Sequence, residues 1–199
     1  VALGTDEGGT IPILRAYDGH GSMCVVHVDA HIDWRDTRHG QRGGYCSVMR
    51  RASEMPWVKA ITHIGLRGVG SARRQEVDDA RSFGDVFIRA RDVHRQGIGS
   101  CLERIPAADR YLITIDADAL DTAIAPGVLF PSPGGLAFDE ITDLVTGIAG
   151  KGAVAGINLF EIRPERDVNG LTAKTGAQLV IHCIAALARG SQFGERGTP

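Results

Sequence analysis

The sequence predicts a three-layer αβα fold built on a mainly parallel sheet, and three observations lead there. Short apolar runs rich in β-branched residues alternate with helical segments, the pattern of strands joined by crossover helices. Three of those runs break off directly into acidic residues: Met23–Val28 into Asp29, Arg110–Ile115 into Asp116, and Ala153–Phe160 into Glu161. In parallel sheets, ligands gather at the carboxyl ends of strands. Finally, the 199 residues carry 43% hydrophobic side chains with no repeat, low-complexity tract or linker, so residues 1–199 read as one domain with one sizeable core.

Taken in order, Val1-Ala2-Leu3-Gly4 reads as the end of a strand entering a turn. Thr10 to Tyr17 reads as a helix, with Thr10 as N-cap and Pro12 in the first turn. A buried strand covers Cys24 to Asp29. Trp34 to Gly44 lacks periodicity and reads as a long active-site loop. A helix over Ser47 to Glu54 precedes a strand over Ala60 to Gly65. Ser71 to Phe83 reads as a surface helix, Asp85 to Ile88 as a short strand, and Ile98 to Ile105 as a helix. After the strand at Tyr111–Asp116, the stretch Thr122–Gly135 is too rich in Pro and Gly for regular structure. Ile141, Leu144, Val145 and Ile148 stand at helical spacing within Asp139–Ile148. A strand over Ala153–Phe160 and a helix over Thr172–Ala188 close the chain.

Composition excludes several classes. Lys and Arg total 22 against 24 Asp and Glu, so no basic footprint argues for nucleic acid or a membrane surface. No apolar run in the sequence reads as a membrane span, and no signal-peptide pattern opens it. Cys24, Cys46, Cys101 and Cys183 have no paired spacing, which fits free thiols in a reducing cytoplasm.

The chemistry sits at the strand ends. Asp29, His31 and Asp33 alternate by two, so an extended chain would aim all three to one side. Asp116 and Asp118 repeat that spacing at a second strand end. Four aspartates on two buried ends repel one another unless cations sit between them. A carboxylate-rich set with little imidazole suits Mn²⁺ or a similar ion better than zinc.

The stretches His27-Val28-Asp29-Ala30-His31-Ile32-Asp33 and Ile115-Asp116-Ala117-Asp118-Ala119-Leu120-Asp121 resemble the ureohydrolase family, which includes arginase and agmatinase. Ala125-Pro126-Gly127, Pro131-Ser132-Pro133-Gly134-Gly135-Leu136 and Ile64-Gly65-Leu66-Arg67-Gly68 are similar to the agmatinase branch. Glu161-Ile162-Arg163-Pro164 with Asp167 resembles the family's substrate-side segment.

The resemblance implies an arginase-like fold and an expected lack of the family's N-terminal segment, with one sheet edge missing or exposed. It implies two Mn²⁺ ions bridged by Asp29 and Asp116, with His31 and Asp118 completing one shell and Asp33 the other. A metal-bridging hydroxide, hydrogen-bonded by Asp33 as catalytic residue, would split a guanidino compound such as agmatine into urea and an amine. Glu161 would bind the substrate guanidinium. Trimers or hexamers of the chain are implied as well.

Two positions depart from the family pattern. Glu7, in Gly4-Thr5-Asp6-Glu7-Gly8, stands where the family has a metal-binding histidine, and would add an anionic metal ligand or point away. Tyr45 stands where a loop histidine shuttles protons, and His39 in the same loop is the other candidate shuttle. These departures support an alternative: a catalytically impaired, metal-binding relative that serves as an assembly subunit. His63, His94 and His182 show no convergent partner in sequence and read as core or surface residues.

Overall fold

β-branched and aliphatic runs form six strands in the computed structural model, which describes residues 1–70 and 72–190. They are β1 (Ala2–Leu3), β2 (Met23–Val28), β3 (Val58–Leu66), β4 (Val86–Arg89), β5 (Arg110–Asp116) and β6 (Ala153–Phe160). All pair in parallel in one sheet of order β1-β6-β5-β2-β3-β4. The helices are α1 (Thr10–Arg15), α2 (Val48–Ser53), α3 (Arg74–Phe83), α4 (Ala90–Arg104), α5 (Phe138–Lys151) and α6 (Leu171–Arg189).

Strand alternation divides the apolar side chains between two cores, one on each face of the sheet. Cys24, Val26 and Val28 of β2 pack with Ile113, Ile115, Leu144, Ile148 and Leu179 on the α4–α5–α6 side. Met23 and Val25 of the same strand pack with Leu14, Val48, Met49 and Ile61 on the α1–α2–α3 side. This is the expected three-layer arrangement.

Topology sets the position of the site. From β2 the chain moves outward through β3 and β4, then returns to place β5 on the other side of β2. The order therefore reverses between β2 and β5, and a crevice opens beyond the carboxyl ends of those two strands. Asp29 and Asp116 stand there.

Three local expectations need correction. Gly9, not Thr10, is the N-cap of α1; Thr10 is fully buried, its hydroxyl 3.1 Å from that of Thr114 and accepting from the Asn158 amide. The helix expected over 98–105 extends from Ala90. Its first half is mostly Arg, Asp, His and Gln, so only Ala90 and Val93 carry the apolar face, and Gly97 (φ 77°) interrupts it. Finally, α6 is by length and composition long enough and apolar enough to cross a membrane. It packs here as a core helix through Leu179, Cys183, Ala186 and Leu187. The expected start of the helix before Phe83 at Ser71 lies outside the described residues.

Candidate metal centre

β2 ends at Val28, and a turn rather than an extended chain brings its acidic residues together. The Asp29 carboxylate accepts the His31 backbone N–H at 2.7 Å, which folds the chain back on itself. Asp33 then adopts φ 45° in the left-handed region. A turn, not the strand alternation expected, thus sets where Asp29, His31 and Asp33 point.

Two clusters form. One ligand atom from each of Glu7, His27, Asp29 and Asp33 lies within 4.8 Å of the others, and the same holds for Asp29, His31 and Asp118. Asp29 belongs to both. His31 Nδ1 is 3.1 Å from Asp29 Oδ1 and 3.2 Å from Asp118 Oδ2. Asp116 belongs to neither cluster, but it lines the same cavity as Asp33 and Asp118, and its carboxylate accepts the Asp118 N–H at 2.7 Å.

Glu7 points inward. It is fully buried, accepts the Thr114 hydroxyl at 3.0 Å through Oε1, and holds Oε2 at 3.4 Å from His27 Nε2. It sits on the short 3₁₀ turn Glu7–Gly9, which Asp6 caps by accepting the Gly8 N–H. Its own N–H donates to Glu161 Oε1 at 2.9 Å, so the turn links the β2 and β6 ends.

Beneath the clusters a polar rung crosses the sheet on the α1–α2–α3 face. Asn158, Thr114, His27 and His63 are register partners on β6, β5, β2 and β3, and all four are buried. His27 Nδ1 lies 2.9 Å from His63 Nδ1, and His63 Nε2 lies 2.8 Å from Asp85 Oδ2. The Trp34 indole N–H donates to that same oxygen at 2.8 Å. The chain is satisfied when His63 is neutral, donating from Nε2 to Asp85 and accepting from His27 at Nδ1. Burial, pushing the His63 pKa down, favours that form.

His63 therefore does have a convergent partner, contrary to expectation. His27 and Asp85 were missed outright. The period of two that grouped residues 29, 31 and 33 extends back to His27, and that signal was available; strand register, which brings His63 to it, was not.

The charge balance calls for cations. Burial first, and then neighbouring carboxylates, push Asp33 and Asp116 well above the usual carboxylate range and Asp118 to about 6. Burial works against a charge on His27 and His31. It is outweighed by Glu7 and Asp29 for His27, and by Asp118 and Asp29 for His31, so both rise to about 10. Burial also acts against ionised Asp29, but His27 and His31 hold it below its ordinary value. Asp29 Oδ2 is buried, and although His27 Nε2 lies 2.9 Å away, no hydrogen bond of acceptable geometry reaches it. A carboxylate common to two oxygen-rich clusters, with one buried oxygen that accepts no hydrogen bond, fits a pair of divalent cations.

His31, Asp33 and Asp118 of the two clusters line a cavity of about 580 Å³. Glu161, at the end of β6, lines it and is only 3% exposed. Its Oε2 pairs with Arg163 at 3.2 Å, and burial pushes its carboxyl pKa up. Glu161 has φ 63°, and of the four non-glycine residues with positive φ among the described residues, three (Asp33, His39 and Glu161) line this cavity. Left-handed backbone costs a residue with a Cβ roughly 1–2 kcal/mol, and such strain concentrates at functional sites.

Tyr45 and His39 also line the cavity. Arg38 stacks 5.0 Å over the Tyr45 ring, and burial pushes the Tyr45 phenol pKa up. Arg67 anchors the surrounding segments, donating to the carbonyls of Gly65, Asp118, Leu120 and Ser132.

Comparison with known proteins gives this geometry a family. The arginase family model matches residues 1–186. A guanidinobutyrase from Pseudomonas aeruginosa is 30% identical over 194 residues, covering 94% of this chain and 60% of that protein. An N(1)-aminopropylagmatine ureohydrolase from Thermus thermophilus is 32% identical, covering 98% of this chain and 64% of its own length. Among solved structures, proclavaminate amidino hydrolase from Streptomyces clavuligerus superposes with a TM-score of 0.85 at 26% identity, covering 94% of this chain and 64% of that one. Agmatine ureohydrolase of Thermoplasma volcanium gives 0.81 at 30% identity, covering 96% and 63%. The chain thus spans about 60% of the length of the relatives it matches. With an all-parallel αβα sheet and two acidic clusters at its central strand ends, the chain belongs to the arginase, or ureohydrolase, family.

Proposed function

We propose that the chain hydrolyses a linear guanidino compound to urea and an amine at a centre of two Mn²⁺ ions. The observation that carries this is the Asp29 carboxylate, common to both clusters, whose cluster partners Asp33, His31 and Asp118 line one cavity together with Glu161. Glu7, Asp29 and Asp33 would hold one ion, and Asp29, His31 and Asp118 the other, with Asp116 as the second shared carboxylate. Bound there, the ions would supply Lewis acidity and activate water near neutral pH.

The chain's own residues account for the rest. Glu161 has one lone pair on each oxygen engaged, by Glu7 N–H and by Arg163, which leaves acceptor capacity for a planar guanidinium. Asp33 acts as catalytic residue by holding a proton of the attacking water. The C–N bond to the amine breaks as the guanidino carbon gains oxygen, and Tyr45 or His39 gives the departing nitrogen its proton.

Agmatine is the first substrate to test, because the motifs at residues 64–68 and 125–136 are similar to the agmatinase branch. Assembly as a homo-oligomer, a trimer or hexamer, in the cytoplasm completes the reading. Four buried free thiols support the reducing compartment.

Two departures from the family pattern favour a second reading, a metal-binding assembly subunit with impaired catalysis: Glu7 stands for a neutral ligand, and Tyr45 for a group that titrates near neutrality. Urea assay with Mn²⁺ beside elemental analysis separates the two. Urea with two ions per chain is expected; two ions without urea would select the second reading; no bound metal would overturn both.

A further inference from the structure

Building on the two-ion reading, we infer that His27 is itself a metal ligand, offering Nε2 to the ion held by Glu7, Asp29 and Asp33. His27 is fully buried at the penultimate position of β2. Its Nε2 lies 2.9 Å from Asp29 Oδ2 and 3.4 Å from Glu7 Oε2. With Asp33 these atoms form a set whose members all lie within 4.8 Å of one another. Donors at about 2.0–2.2 Å from one divalent ion stand at most roughly 4.4 Å apart, close to the spacing of this set. The contact with Asp29 is the second observation. Oδ2 accepts no hydrogen bond although the ring nitrogen is 2.9 Å away. Two donors that close, with no N–H aimed between them, are placed as neighbours on a shared ion.

The remote side of the ring explains which nitrogen carries the lone pair. Asp85 Oδ2 accepts the His63 Nε2–H at 2.8 Å, which leaves His63 Nδ1 as an acceptor. That atom lies 2.9 Å from His27 Nδ1, which therefore donates to it. A neutral His27 with its proton on Nδ1 has its lone pair on Nε2, facing the cluster. Asp85 and His63 are thus positioning residues: they hold the ring and its tautomer from behind, as carboxylates do for metal-bound histidines. Without an ion, Nε2 faces Glu7 Oε2 as a hydrogen-bond partner, and the ion takes the place of that proton. Each ion then has one imidazole, His27 for the first and His31 for the second. Nitrogen in the first shell favours Mn²⁺ over Mg²⁺, which prefers oxygen alone.

The test reads coordination rather than turnover. In the full chain carrying His31→Ala, loaded with less than one Mn²⁺ per chain, pulsed electron paramagnetic resonance should show the nitrogen modulation of a bound imidazole. Adding His27→Asn, which keeps a donor toward His63 but deletes Nε2, should abolish it. Bound Mn²⁺ without that modulation, or modulation that survives His27→Asn, would overturn the proposal. Should His31→Ala fail to fold, calorimetry on His27→Asn alone decides. The Mn²⁺-to-Mg²⁺ affinity ratio at one of the two sites is expected to fall by about tenfold or more. Equal weakening of both metals, or no weakening, would mean that His27 only scaffolds the site. Two bound ions with His27 uncoordinated would overturn this inference and leave the two-ion reading standing; no bound Mn²⁺ would overturn both.

Discussion

At the residue scale, Asp29 should be irreplaceable because both clusters share it. Asp29→Ala is expected to lose both ions by elemental analysis, whereas Asp118→Ala should weaken mainly one; loss of a single ion in each would contradict the shared role. Glu7 and Tyr45 should act on separate steps. Glu7 adds a negative charge to the donor set, which weakens the pull of a divalent cation on bound ligands. Glu7→His should therefore move the rising limb of the pH–rate profile to lower pH. The Tyr45 phenol, its pKa pushed up by burial, keeps its proton throughout the neutral range. Tyr45→His supplies a group titrating near neutrality, so kcat should rise, by at most roughly 10²–10⁴-fold, with metal affinity unchanged. Unchanged rates in both variants would mean that neither residue limits the reaction.

At the element scale, the polar rung and its Asp85 terminus connect the sheet to the site. Asp85 receives Trp34, the neighbour of Asp33, and through His63 reaches His27 beside Glu7 and Asp29. Removing it leaves two buried donors unmatched, so Asp85→Ala should cost roughly 3 kcal/mol by denaturant unfolding and also lower Mn²⁺ affinity. A change below about 1 kcal/mol would mean that water replaces it. Such a rung is invisible in sequence because register, not local pattern, puts Asn158, Thr114, His27 and His63 side by side. The strand ends were legible because each is an apolar run broken by acids. The first half of α4 was not, because its polar residues mask a face carried by Ala90 and Val93 alone. Gly65 is a third element-scale constraint: with φ 105° and a would-be Cβ 3.0 Å from the Asp29 carbonyl oxygen, it lets β3 pass close to the turn that presents Asp29.

At the scale of the whole molecule, the metal-free fold carries repulsion that bound ions should relieve. Asp118 has a folded pKa of about 6 against an ordinary 3.8. Below about pH 4 it is protonated in both states and costs nothing; as pH rises toward 6 the unfolded chain ionises first, so stability falls. The metal-free melting temperature should accordingly gain from Asp118→Asn at pH 7 and not at pH 4. Saturating Mn²⁺ should raise the unmutated chain by about 4 kcal/mol per site at 1,000 times Kd. A metal-free chain as stable at pH 7 as the loaded one would remove the electrostatic basis of the centre. The parallel αβα layering was legible because alternating strands and helices admit few topologies, whereas the strand order β1-β6-β5-β2-β3-β4 came only from the structure. The placing of Arg35 and Arg38 along the cavity was not, since loop 34–44 has no periodicity to place its arginines.

Urea release with added Mn²⁺, measured for the unmutated chain and for Asp29→Ala on both 4-guanidinobutanoate and agmatine, tests the central claim most directly. Stoichiometric urea and amine from at least one compound, dependent on Mn²⁺ and abolished in Asp29→Ala, is the expected result. Urea formed without metal, or undiminished by loss of Asp29, would contradict a dinuclear centre at the ends of β2 and β5.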